Sequence, residues 1–283
     1  MSKKIMTLVF VVTALLFSGA AINANLPPYS KVLILMYHDI TEEPTDNIYS
    51  VTQATLRSQI ETLQNAGYEF IGFDELIAFA DYGRELPRRP VVITFDDGYR
   101  SSLELAAPVL EELGICATIN IIGSQVGKST YRHTDIATIP HFSFEEARPW
   151  VQRGVIHIGH HSHDMHMVHK SEDPFRRGVL QREGESADEY RKAFIRDFKT
   201  LKASIKSALG ITVNVYAYPY GFYNADTEAM LKELGIRVTL TTNKGINRIE
   251  RGNPDSLFAL KRINMEEELV GKRLLRLLRS FER

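Results

Sequence analysis

The densest group of chemically capable side chains runs His160-His-Ser-His-Asp-Met-His166, flanked by His157 and His169. Neutral imidazoles with one carboxylate suit a zinc ion that keeps one position open for water or substrate. Two histidines and a carboxylate can equally hold non-haem iron. The spacing leaves open which two histidines would ligate. A solvated histidine-rich loop is the plainer reading, but the cluster follows directly on an apolar, strand-like run, Val155–Gly159. Thr94-Phe-Asp-Asp-Gly98 supplies adjacent carboxylates, Asp96 and Asp97, after another such run. Neighbouring strand residues point opposite ways, so one carboxylate could face a metal and the other a water. Taken alone, the dipeptide reads better as a solvated Asp-Gly turn. Tyr37-His38 offers a general acid or a metal ligand. A lone histidine at a strand end is more often a hydrogen-bonded structural residue.

These groups need elements that bring them together, and the hydrophobic pattern supplies an alternation. Strand-like runs cover Lys31–Met36, Phe70–Gly72, Val91–Phe95, Cys116–Ile122, Val155–Gly159, Val213–Tyr218, Val238–Thr241 and Leu257–Ile263. Helical spacing covers Gln53–Ala66, Asp74–Asp81, Ser102–Leu113 and Ala225–Leu234, and a basic, leucine-rich helix closes the chain at Val270–Arg279. Ser143 with Glu146, and Ser186 with Glu189, are capping-box pairs that open two more helices, ending near Gly154 and Gly210. About seven βα units suggest a barrel or a barrel-like closed sheet, with a doubly wound open sheet as the alternative that periodicity alone does not separate. His38, Asp96, Asp97, the histidine cluster and Tyr218-Pro-Tyr220 each follow a strand. In a parallel barrel those strand ends share one face, which holds the active site. The segments Gly123–His141 and Lys170–Ser186 read as long loops over that face.

Lysine plus arginine number 34 against 35 aspartates and glutamates, for a net charge of −1. That balance lacks the basic stripe of a nucleic-acid partner. Lys3 and Lys4, the apolar run Ile5–Phe17 and the small residues Ser18 to Ala21 form a secretory signal peptide pattern. The expected organisation is a signal peptide over residues 1–24 and one catalytic domain over 25–283. Export follows from it; retained uncleaved, the segment would instead tie the protein to a membrane or cell wall. Cys116 is the only cysteine, so an exported chain must be stabilised by its core without an internal disulfide. Cys116 itself reads as a small buried hydrophobe. The sequence carries no signature of an oligomeric state.

The chain resembles the polysaccharide deacetylases of carbohydrate esterase family 4. Thr94-Phe-Asp-Asp-Gly98, His161-Ser162 through His166 and Ala217-Tyr-Pro-Tyr-Gly221 are similar to that family's first three motifs, in family order. The resemblance spans about Leu35 to Asn264. It is closer to the biofilm-type branch, the poly-N-acetylglucosamine deacetylases. Tyr37-His38-Asp39-Ile40 precedes the aspartate pair, and four residues separate His161 from His166. In that branch the early histidine replaces a C-terminal catalytic one. Two departures stand out. Ala217 occupies the place of the third-motif arginine that orients the base, and the tryptophan-bearing fourth motif is missing. Trp150 lies on an expected helix and reads as packing. Arg262, at the end of the last expected strand, is the candidate substitute.

The resemblance implies a (β/α)7 barrel in which Asp97, His161 and His166 hold a divalent metal, zinc by preference. That metal activates water and polarises the acetamide carbonyl. It further implies Asp96 as general base, His38 as the acid that protonates the departing amine, and the backbone N–H of Tyr220 as an oxyanion donor. The implied partner is an N-acetylglucosamine polymer: poly-N-acetylglucosamine, peptidoglycan or a chitin-like chain. Two rival functions remain distinct. A catalytically inactive polysaccharide-binding module on the same fold would lack the base or a ligand, and neither is missing. A two-histidine, one-carboxylate iron oxygenase is usually built on all-β scaffolds, unlike this alternation.

Overall fold

The computed structural model describes residues 27–132, 134–167 and 175–282. The expected signal peptide, His133, His169 and the start of the second long loop lie outside them.

Strand β1 (Tyr29–Tyr37) is buried from Val32 onward, as its run of branched and leucine residues requires. Short β2 (Asp39–Thr41) and β3 (Ser50–Thr52) pair in parallel as a separate ribbon beyond the end of β1. Helix α1 (Gln53–Asn65) starts where Thr52 Oγ1 accepts from Thr55 N–H, and it buries Leu56, Ile60 and Leu63. After β4 (Glu69–Phe70), α2 (Phe73–Tyr82) stops at Gly83, whose left-handed φ of 67° suits glycine. Strand β5 (Pro90–Phe95) is buried throughout. The next helix opens with a π-helical turn at Ser102–Ala106 and becomes α3 (Ala107–Glu112). Pro108 sits in the first turn of α3 and has no N–H to continue the upstream ladder. Strand β6 (Ala117–Ile121), α4 (Phe144–Gln152), β7 (Ile156–His160) and α5 (Ala187–Leu209) follow. Both expected capping boxes are present at the starts of α4 and α5. Then come β8 (Val215–Ala217), α6 (Ala225–Glu233), β9 (Val238–Leu240), β10 (Asn247–Glu250), β11 (Ile263–Asn264) and α7 (Gly271–Glu282).

The main sheet runs β10-β1-β5-β6-β7-β8-β9, and every pairing from β1 to β9 is parallel. It curls until one chain segment spans the gap. Leu260 bridges to Leu240, and three residues later β11 pairs with Leu35 and Met36 of β1. This is the distorted (β/α) barrel that the resemblance implied, with the closing segment as its last stave.

Two local expectations change. Leu257–Ile263 is not one strand: a 3-10 turn occupies Pro254–Leu257, and Ala259 has a φ of 54°, which breaks an extended backbone. Only Ile263–Asn264 pairs as a strand. Strand β10 went unexpected. It runs antiparallel to the start of β1, with Arg248 and Glu250 exposed, and its polar composition hides it.

Alternate residues of β1 pack on opposite sides of the sheet. Leu33, Leu35 and Tyr37 join one apolar cluster, while Val32 and Ile34 join another. The same period of two places Val92, Thr94 and Asp96 on one face. The last two are polar and fully buried, so their partners must come from within the barrel.

Candidate active site

Asp96 and Asp97 follow β5, but their backbones diverge. Asp96 continues the strand by donating its N–H to Tyr37 O, while Asp97 adopts a φ of 70° and turns away. Gly98, with a φ of 85°, packs so closely on Ile121 that a Cβ would meet its Cγ2 at 3.0 Å. The turn therefore sends two adjacent carboxylates into different surroundings.

Asp96 points into the barrel. Arg262 meets it with two hydrogen bonds, Nη1 to Oδ1 at 2.8 Å and Nη2 to Oδ2 at 2.6 Å. Arg262 is held in turn by Thr94 Oγ1 and by the carbonyl of Thr241. Asn120, from the middle of β6, donates to Asp96 Oδ1 at 2.8 Å. Burial alone would raise the Asp96 carboxyl. The Arg262 guanidinium overrides that and, with smaller contributions from His161 and His38, holds it well below the usual carboxylate range. Arg262, the candidate substitute for the missing third-motif arginine, thus reaches Asp96 from the closing segment. Gly159 of β7 makes room for this arrangement: a Cβ there would stand 2.1 Å from Asn120 Oδ1.

Asp97 points toward the histidines. Its Oδ1 lies 3.6 Å from His161 Nε2 and 3.4 Å from His166 Nε2. The ligand atoms of all three residues fall within 4.8 Å of one another. His161 Nδ1 sits 2.8 Å from the carbonyl of Ala217. A carbonyl can only accept, so Nδ1 carries a proton, which leaves Nε2, on the Asp97 side, as the nitrogen able to ligate a metal. His166 Nδ1 is 3.1 Å from the Tyr220 hydroxyl, which orients the ring in the same way. Burial, opposed by the nearby Asp97, pushes His166 down to about 4 and keeps its ring neutral. Two imidazole nitrogens and one carboxylate converging within metal-binding range fit a divalent ion such as zinc.

The other histidines of the cluster do structural work. His160 is fully buried between Phe198 and Tyr216, bonding to Phe198 O and accepting from Ser162 N–H. Its burial pushes it down to about 3. His163 turns its side chain toward Gly123, while its backbone N–H and that of Asp164 donate to the half-buried Asp197 carboxylate on α5. Ser162, with a φ of 67°, makes the reversal that separates these orientations. His157 is exposed on β7.

His38 follows the end of β1, one residue past the Tyr37–Phe95 pairing and so beside the Asp96 end of β5; it is half-buried, with its ring against Tyr49 at 5.2 Å. Tyr220 has a φ of 56° and is 37% exposed, so it forms a rim as well as supporting His166. His38, Asp96, Asp97, His161, His166 and Tyr220 all line one cavity of about 570 Å³. A smaller cavity of about 130 Å³ adjoins it behind Asp97 and His166.

Three contributors went unnoticed in the sequence. Asn120 left one trace, a lone amide inside an otherwise apolar strand. Tyr99 directly follows the aspartate turn, lines both cavities and hydrogen-bonds the Asp97 carboxylate. Asp197 lies far from the histidines in sequence and carried no local signal.

A barrel with these motifs at its strand ends defines a class. The model of the polysaccharide deacetylase family matches residues 83–239, and the chain belongs to that family of amide-cleaving hydrolases. Among its relatives, the poly-beta-1,6-N-acetyl-D-glucosamine N-deacetylase of Staphylococcus aureus (strain MRSA252) is 28% identical over 189 residues. That alignment covers 67% of this chain but only 60% of the relative, less than two thirds of its length. The fold is shared with IcaB from Ammonifex degensii, with a TM-score of 0.72, 23% identity and 87% and 96% of the two chains covered. A de-N-acetylase from Aggregatibacter actinomycetemcomitans superposes with a TM-score of 0.74 at 20% identity, covering 88% of this chain and all of that one.

Proposed function

We propose that this protein is an exported, metal-dependent N-deacetylase that removes acetyl groups from N-acetylglucosamine units of a polysaccharide, with poly-N-acetylglucosamine as the favoured polymer. The observation that carries the reading is the division of labour between adjacent carboxylates. Asp97 joins two histidines, while Asp96 is locked to Arg262 beside them. The Staphylococcus relative supports the choice of polymer. Lys3, Lys4 and the apolar run after them support export.

Asp97, His161 and His166 would hold the ion, and a divalent metal there supplies Lewis-acid polarisation of the acetamide carbonyl. The chain's own groups manage the protons. Asp96 stays ionised across the working range because Arg262 holds its carboxyl low. One lone pair of Oδ2 is left to accept a proton from the attacking water as it adds to the carbonyl carbon. Arg262 fixes the carboxylate plane, so little reorganisation is needed at that moment. Tyr220 offers its backbone N–H to the developing oxyanion. His38, at the neighbouring strand end, gives a proton to the nitrogen as the C–N bond breaks, so the leaving group departs as a neutral amine and acetate remains.

The test is acetate release from poly-β-1,6-N-acetylglucosamine, chitin oligosaccharides and peptidoglycan, before and after chelation and with zinc restored. Acetate from the first substrate, lost with chelator and regained with zinc, is the expected result. Polymer binding without acetate under every metal condition would replace the enzyme with a binding module.

A further inference from the structure

The catalytic cavity carries one charge that the reaction does not use. Lys244 lies on its rim beyond β9, exposed and without a hydrogen bond or ion pair among the described residues. A second cation stands beside the same turn. The Lys261 side chain passes so close to Gly245 that a Cβ there would meet its Cδ at 2.8 Å and its Nζ at 3.8 Å. Thr242 and Tyr220 continue this wall toward the metal-binding residues.

The acids that line the cavity do not offset these lysines. Only Asp96 and Asp97 line it. Arg262 neutralises Asp96 through two hydrogen bonds. Asp97 faces His161 and His166 and is committed to the metal set. With a divalent ion in place, the cavity is positive overall.

We propose that Lys244 is a specificity residue: it lets the cleft take neutral, acetylated sugar units over its rim and disfavours units that already carry a free amine. The inference rests on the deacetylase reading and deepens it. N-acetylglucosamine is neutral, whereas each turnover leaves a glucosamine whose amine is cationic near neutral pH. A like charge ~7 Å away across water lowers occupancy by about threefold, and salt screens the effect. The polymer's own product therefore slows its further deacetylation on one side of the reacting unit, so reacted units are spaced rather than clustered. The same repulsion favours release of the newly formed amine.

The test uses the zinc-loaded protein and β-1,6-linked N-acetylglucosamine pentasaccharides. One is fully acetylated, and the others carry a single glucosamine at a defined position. The reading is the ratio of initial acetate-release rates between each oligomer and the fully acetylated one. An amine on one side of the reacting unit should lower the ratio by about threefold at low salt and by little at ~1 M salt, where the Debye length is ~3 Å. Lys244→Gln should bring the ratio close to one, and Lys244→Glu should invert it. A ratio of one in the wild type at low salt, or the same ratio in Lys244→Glu, overturns the assignment while leaving the deacetylase reading intact. No acetate from any oligomer overturns both.

Discussion

Arg262 grips Asp96 by both carboxylate oxygens in a place where the two side chains are 0% and 3% exposed. A buried ion pair is poor evidence of stability, because desolvation cancels much of the attraction. Its value here is positional. Arg262 enters from the closing segment of the barrel and Asp96 from the end of β5, so the pair ties the last stave to the catalytic turn. Removing one partner leaves the other charge stranded.

Arg262→Met should therefore lose about 3–5 kcal/mol of stability at neutral pH. The pH dependence identifies the cause. In the wild type the Asp96 carboxyl is held low, so its contribution persists above the ordinary carboxylate value and is lost only as pH falls through the depressed one. Without Arg262 the burial effect wins, and the Asp96 pKa rises above its unfolded value. The variant then recovers stability as acid neutralises Asp96, and its deficit shrinks. Denaturant unfolding of both proteins between neutral and acidic pH measures this. A deficit that stays constant over the whole range would mean that packing, and not the stranded carboxylate, is responsible.

Metal content should separate the histidines. Asp97→Ala, His161→Ala and His166→Ala should lose most bound zinc, since each removes one of only three ligands. His163→Ala should keep it, because the Asp197 carboxylate holds that turn through backbone N–H groups. His160→Ala should keep it as well wherever it folds, though its buried ring makes it less stable. Full zinc occupancy in folded His166→Ala would mean that a different histidine completes the set.

Asp96→Asn should keep the metal and lose about 10²- to 10⁴-fold in turnover, the usual cost of losing a general base. Asn preserves the shape but cannot take the proton. Loss of zinc from this variant would show that the aspartates have exchanged roles.

The strand-end groups were legible in the sequence because each local signal agreed with the global one. An apolar run ended, a polar cluster followed, and parallel pairing placed all the ends on one face. The capping boxes at Ser143 and Ser186 were legible for the same reason: three residues suffice to specify them. What escaped depends on distant partners. Asn120 matters only because β6 lies beside β5 and Gly159 gives it space. The irregular path from Pro254 to Leu260 depends on a left-handed Ala259, which no local propensity favours. Choosing His161 and His166 among neighbouring histidines needed either a family motif or the fold, since spacing alone left the question open.

Gly159→Ala tests whether that space matters. A methyl group would collide with Asn120 Oδ1 at 2.1 Å, and Asn120 is fully buried and bonded to Asp96. The strand must shift or the bond to Asp96 must break. Overpacking typically costs about 1–3 kcal/mol. The variant should therefore fold less stably and turn over more slowly, with its zinc retained and KM little changed. Asn120→Ala should relieve the clash, so the double variant should regain stability without regaining rate. A double variant as active as the wild type would remove Asn120 from the positioning of the base.

His38 offers the sharpest test of the proton accounting. It stands at the strand end next to that of Asp96, half-buried, with Nδ1 enclosed and without a hydrogen-bond partner among the described residues. No carboxylate steadies it as one steadies many catalytic imidazoles; Tyr49 packs against its ring instead. An amide nitrogen is a poor leaving group until protonated, whereas an activated phenyl ester departs without a proton. His38→Ala should therefore bind zinc normally and lose about 10²- to 10⁴-fold on the N-acetyl substrate, the range for loss of a general acid. On the activated ester its loss should be much smaller. Equal losses on both substrates would assign His38 to holding Tyr49 and the cleft wall in place. An undiminished amide rate would remove His38 from the reaction and direct the search for the acid to Tyr99 and His141, which line the neighbouring cavity.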